Sequence, residues 1–241
     1  MKKLLFILLF LPAYLWGQSE FYKIQIGASF SPDYDYRTLK STGKENEKIT
    51  AKGTVDLRND YEVGKFGYTT GISAIYNFSA LFGIELGVQF SEKGYQTKVT
   101  KPTPMEKNDP AIPTNGWNFI YKYEYIDIPL KANFTFGKSR LRYIATAGFA
   151  ANFLIEEKET TVMKFSEKTK KETYIRTSPY NNKFNISPVI GAGVEYNITN
   201  KISIRAIPNF KYGLMKIYDN PYMTTHLWNA GIDIGIFYGI K

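Results

Sequence analysis

The residues able to do chemistry fall into three groups. The chain has one histidine, His226, flanked by the hydroxyls Thr224 and Thr225, and no cysteine. Hydrolytic or transfer chemistry on this set needs a nucleophile, a base beside it and an acid that orients the base. No such acid accompanies these residues in sequence, so His226 reads as a residue of the membrane interface. The second group is Glu156, Glu157 and Glu159. Carboxylates this close invite calcium, but the spaced Asp/Asn ligands and the glycine of a calcium loop are absent. The run continues into Lys168, Lys170, Lys171 and Glu172, as expected of a solvated charged hairpin. The third group is spread along the chain: Lys23, Glu85, Asp127, Lys131, Arg142, Glu195, Arg205, Lys211 and Asp233. Acids and bases are mixed, and each lies at the polar phase of an alternating segment. A selectivity filter or substrate site is one use for them. A salt-bridged plug is the better one, because unpaired charges in a narrow interior are costly. No catalytic residue, cofactor or metal is expected.

Positioning those charges requires strands. Period-two alternation marks eight segments: Phe21–Phe30, Phe66–Phe78, Leu81–Gly94, Ile120–Phe136, Leu141–Ile155, Lys183–Ile198, Lys201–Gly213 and Thr224–Ile240. In the last, Trp228, Ala230, Ile232, Ile234, Ile236, Tyr238 and Ile240 alternate with Asn229, Gly231, Asp233, Gly235, Phe237 and Gly239. Most of these segments reach the roughly 9–11 residues that a tilted membrane strand needs. Their connections alternate in length. Ser79-Ala80, Gly137–Arg140 and Thr199-Asn200 are tight, whereas Ser31–Lys65, Tyr95–Phe119, Glu156–Asn182 and Leu214–Met223 are long. This asymmetry belongs to outer-membrane barrels, which have short periplasmic turns and long external loops.

Alternation alone does not say which face is inside. Glycine decides, because the polar phase holds Gly27, Gly71, Gly83, Gly87, Gly148, Gly191, Gly193, Gly231 and Gly235. The interior of an eight-stranded barrel is only wide enough for side chains to fill. Small residues there make room for Arg and Glu. Aromatics gather near the turn ends (Tyr22, Tyr76, Phe78, Phe82, Phe134, Phe136, Tyr143, Tyr196, Tyr238) and again higher up (Phe30, Tyr68, Phe90, Phe153, Phe184, Phe210, Trp228), as two interfacial girdles would. The fold expected is all-β: an eight-stranded antiparallel up-and-down transmembrane barrel with a filled lumen, in the bacterial outer membrane.

Delivery is written at the N-terminus. Lys2 and Lys3 precede the unbroken apolar run Leu4–Leu11, and Pro12 to Gly17 leads to Gln18. This is the layout of a cleaved signal peptide, with residues 1–17 removed and 18–241 forming the barrel domain. The apolar run is too short to cross a bilayer as a helix. The formal charge of +9 falls to about +7 without Lys2 and Lys3. Its bases are interspersed with acids, so it suits anionic lipopolysaccharide or polysaccharide at the loops and not nucleic acid. With no cysteine there is no disulfide framework. The segment 101–113 carries Pro102, Pro104, Pro110 and Pro113 and reads equally as a rigid docking loop or an irregular lid. Sequons at Asn77, Asn133 and Asn197 are chance matches within strands.

The first strand reads YKIQIGASFSPDY, the fourth YEYIDIPLKANFTFG, the fifth RLRYIATAGFAANFLI and the end NAGIDIGIFYGIK. In these features the chain resembles the PorT-like family of outer-membrane barrels. Tyr125, Ile126, Asp127, Ile128, Pro129 and Leu130 match its most recognisable strand. The resemblance implies a non-enzymatic structural or accessory barrel, with the namesake's role in type IX secretion, and gliding in relatives that glide, as the process. Its partners would be outer-membrane lipid and lipopolysaccharide, the barrel-insertion machinery and secretion-complex proteins. The chain departs from a terminal aromatic by ending Gly239-Ile240-Lys241. Two alternatives stand beside this reading: a surface protein that binds a partner or polysaccharide through its outer loops, and a small enzyme acting on lipid A.

Overall fold

The computed structural model describes residues 22–42, 45–106, 109, 111–176, 182–218 and 220–240, with backbone alone at 45–50. The expected signal segment and Pro110 lie outside these residues. Eight long strands form the wall: β1 (Ile24–Ser41), β3 (Lys65–Asn77), β4 (Phe82–Thr97), β5 (Trp117–Phe136), β6 (Leu141–Lys164), β8 (Phe184–Asn197), β9 (Ile202–Tyr212) and β10 (Met223–Ile240). Each pairs antiparallel with the next. β1 then pairs with β10, from Ile24↔Ile240 to Ser41↔Met223, so the sheet closes on itself. Closure leaves no open edge in the wall and satisfies its backbone polar groups internally, the condition for crossing lipid as strands. Among the described residues no helix is long and apolar enough to cross a membrane.

Three connections are tight. In two of them the same device recurs: Ser79 Oγ accepts from the backbone N–H groups of Leu81 and Phe82, and Thr199 Oγ1 accepts from those of Lys201 and Ile202. The third uses Gly137 at φ +113°, a conformation that a side chain would strain. All three lie at one end of the barrel.

The opposite end carries structure that alternation did not reveal. β1 runs eleven residues past its expected end at Phe30. Pro32 interrupts the strand only locally. The ladder to β10 skips Ser31 and Pro32 and resumes at Asp33↔Gly231, because proline has no N–H to donate. Helix α1 (Glu45–Tyr61) and the two-residue strand β2 (Glu62–Val63) follow. The helix was expected as loop because its sequence is polar nearly all round and holds Gly53. Only Ala51 and Val55, one turn apart, bury an apolar face among its described side chains. β6 extends to Lys164 and turns back as β7 (Thr169–Ile175), so the third long connection is a charged hairpin. A bulge interrupts β6 where Tyr125↔Leu154 gives way to Glu124↔Glu156.

The outer wall is apolar. Ile72, Leu86, Phe149, Ile190 and Ile236 are all more than half exposed, a surface that water would penalise and lipid accepts. Two aromatic ladders border it. Near the tight turns, Tyr76, Phe78, Phe82 and Phe134 follow one another at centroid distances of 4.9, 5.6 and 5.2 Å. Toward the long loops run Phe210–Trp228–Tyr34–Phe66 and Phe30–Tyr68–Phe90, at 5.8 to 6.2 Å.

Candidate functional site

The inward side chains are the polar set, and they sort into layers along the barrel axis. Nearest the tight turns, Glu195 is wholly buried between two arginines. Arg205 Nε donates to its Oε2 at 2.5 Å, and Arg142 Nη2 donates to its Oε1. Arg205 also donates to Gln25 Oε1 at 2.8 Å and lies 4.4 Å from the centroid of the Phe237 ring. In the next layer Lys131 Nζ sits 2.7 Å from Glu85 Oε1, and Asn133 Nδ2 donates to Glu85 Oε2 at 2.9 Å. Asp233 is more distant, at 3.8 Å from Lys131.

Above these, Asp127 is the hub. Its Oδ2 accepts from Ser91 Oγ at 2.8 Å and Lys93 Nζ at 3.0 Å; its Oδ1 accepts from Asn152 Nδ2 at 2.6 Å. Ser187 Oγ extends the chain to Asn152 Oδ1. Across the lumen, Lys211 Nζ donates to Thr69 Oγ1, and Thr69 and Ser31 both donate to Asp33. Glycine makes this last group fit, since a Cβ at Gly231 would overlap the Asp33 carboxylate. A cavity of about 20 Å³ lies beside Lys131, Lys211 and Asp233 in the middle layers, enough for about one water molecule.

The long-loop end is closed by a different material. Tyr95, Tyr123, Tyr125, Ile217 and Leu227 form a buried cluster, with Tyr36, Tyr121, Leu154 and Tyr218 packed against it. α1 is tied down over it. Arg37 of β1 donates through Nε to Glu62 Oε2 at 2.5 Å, through Nη1 to Asn59 Oδ1 at 2.8 Å and through Nη2 to the Arg58 carbonyl at 3.0 Å. A cation bonded to a carbonyl in the last turn complements the helix dipole. Burial works against the charge on Arg58, but its hydrogen bond to Glu62 and the nearby Tyr218 and Tyr95 hold its pKa above the usual value.

Of the residues singled out in the sequence, the structure brings Arg142, Glu195 and Arg205 into one cluster and Glu85, Lys131 and Asp233 into another. Asp127 and Lys211 occupy the layer above. Lys23 is a correction. It precedes the start of β1, is exposed, and lays its ammonium 5.6 Å from the Tyr76 ring centroid, outside the lumen. The expected strand began three residues too early. Asp33, Asp35, Arg37, Lys93, Lys65, Glu62 and Glu157 are buried charges that were missed. The first three continue the period-two phase of β1, so the alternation itself was the available signal. Thr225 is buried and Oγ1 donates to Tyr218. His226 takes the opposite face, with Nδ1 3.0 Å from the Gly213 carbonyl and its ring stacked on Tyr212. Adjacent strand residues face opposite ways, so these two do not form a hydroxyl–imidazole pair. Among the described residues no cluster of His, Asp and Glu is arranged to hold a metal.

Solved structures similar to this chain include the following three. Neisserial surface protein A is 12% identical, with 93% of this chain and 100% of that chain covered at a TM-score of 0.47. OprG from Pseudomonas aeruginosa is 9% identical over 91% and 97%, with a TM-score of 0.46. Ail, the attachment invasion locus protein of Yersinia pestis, is 10% identical over 90% and 99%, with a TM-score of 0.36. No curated protein matches the sequence. The model of one family, described as "Outer membrane protein beta-barrel domain", matches residues 16–219. Its match stops short of β10, which nonetheless completes the ring. The chain belongs to that outer membrane protein beta-barrel domain family, and its place is the bacterial outer membrane.

Proposed function

We propose that this protein is a non-enzymatic anchor: a closed barrel that holds an ordered surface outside the membrane as an accessory component of a larger assembly. The observation that carries the reading is the filled lumen. Paired charges span it from Glu195 to Asp127, and the tyrosine cluster with α1 closes its outer end. Eight strands leave no aqueous channel when their interior is packed in this way, so the working surface is external.

The strand Tyr125–Leu130 resembles that of PorT-like barrels, which supports type IX secretion as the process this assembly serves. Deleting the gene then causes secreted cargo to build up inside the cell, and complementation restores its export. Normal export in the deletion strain would end the secretion assignment while leaving the anchor reading in place. A second reading is favoured by the hairpin. The hairpin of β6 and β7 carries Lys164, Lys168 and Lys171 beside exposed Tyr174 and Ile175, with Lys170 paired to Glu172 and Arg176 to Glu159. Such a surface suits an anionic polysaccharide or an acidic partner. Loss of surface polysaccharide retention on truncating the hairpin, with export unchanged, would favour this reading over the first.

A further inference from the structure

At the tight-turn end of the barrel a polar recess of about 50 Å³ opens beneath the Glu195 layer. Arg142, Arg205, Ser203 and Lys201 line it together with Gln25 and Asn77. Glu195 sets the geometry by taking one face of each guanidinium. What remains is unusual for a buried polar cluster. Arg142 Nε, Arg205 Nη1 and Ser203 Oγ are screened from bulk solvent and have no hydrogen-bond partner within the protein. Arg205 and Ser203 are each 3% exposed. Such donors call for a partner from solvent or a ligand, because leaving them unmet is costly. The charges are uneven as well. Its lining includes three cations, Arg142, Arg205 and Lys201, and no carboxylate; Glu195 pairs with both arginines from behind it, and Glu85 lies near Arg205.

We propose that this recess is a binding site for an oxyanion presented from the periplasm, a carboxylate or phosphate group. Two guanidiniums and a hydroxyl are the donor set that planar or tetrahedral oxyanions take, with arginine forks matching paired oxygens. The volume admits one such group and not a sugar or nucleotide. Short turns face the periplasm in this class of barrel, so the group arrives either as a free anion or as the chain-terminal carboxylate of a periplasmic polypeptide.

The test uses the full chain folded in detergent, with the arginine Nε signals followed by ¹⁵N NMR. It is titrated at constant ionic strength with inorganic phosphate, acetate, and a short peptide with a free or an amidated C-terminus. A saturable shift of the Arg142 and Arg205 signals is expected. Arg142→Gln weakens it about tenfold or more, read at Arg205, as expected for losing a charged hydrogen bond. Saturation by phosphate alone identifies a free anion; saturation by the free-acid peptide but not the amide identifies a chain terminus. Ser203→Ala and Lys201→Gln keep the test open if Arg142→Gln does not fold, and each lowers affinity several-fold. The proposal is overturned by signals that do not saturate, by a response that chloride reproduces, or by variants that bind like the parent.

Discussion

Individual charges in this molecule differ in worth according to where they sit. Asp127 is almost wholly buried and takes three donors, and its removal takes the carboxylate from the Lys93 ammonium. Breaking a buried pair by deleting one partner costs about 3–5 kcal/mol, so Asp127→Ala should lower the urea midpoint of the detergent-folded barrel markedly. Lys170 also makes an ion pair, with Glu172, but in full contact with solvent. Lys170→Ala should leave that midpoint unchanged, because an exposed pair gains little over hydration. Equal midpoints for the two variants would remove the plug from the account of stability. Sequence phase alone identified the buried set within the expected strands, since a period of two forces Glu85, Asp127, Lys131, Glu195 and Arg205 to one side. It did not identify which acid meets which base. That depends on register between strands far apart in sequence, such as Arg205 with Gln25.

Whole elements show where legibility ended. The strands were found inside the membrane because lipid on one side and a packed lumen on the other impose strict alternation. Beyond the aromatic girdle that constraint lapses, and β1, β4, β5 and β6 all continue past their expected limits. α1 left no apolar stripe to read because tertiary contacts from Arg37 hold it. Arg37→Ala should therefore free the helix without opening the wall: limited proteolysis within 45–61 becomes faster, while heat-modifiable migration in gels persists. Cleavage at the parental rate would show that the tyrosine cluster, and not Arg37, fixes the helix. The hairpin makes a complementary case. Above Phe153, β6 pairs on one side with β7 instead of β8, so the hairpin does not complete the ring. Replacing Thr160–Thr173 by a two-residue turn should leave folding and heat-modifiability intact. A barrel that no longer folded would mean that the hairpin nucleates β6.

At the scale of the molecule, the strongest asymmetry lies along the barrel axis. One end has three turns of a few residues each; the other has a helix, a strand hairpin and a tyrosine-packed cap. The short end carries the arginine-lined recess, the long end the charged hairpin, and the two face different compartments. The orientation follows from the even strand number and the short-turn rule, which put β1 and β10 ends at the periplasm. The absence of cysteine from the sequence makes this testable without background. Lys170→Cys places one thiol on the hairpin, and Lys138→Cys places one in the turn between β5 and β6. Both positions are exposed, so local burial does not confound the comparison. A membrane-impermeant maleimide added to intact cells should label Lys170→Cys and spare Lys138→Cys until the outer membrane is permeabilised. The reverse pattern would put the hairpin in the periplasm, and with it the surface on which an external partner would act. Labelling of both in intact cells would mean that the chain does not span the membrane as a closed wall.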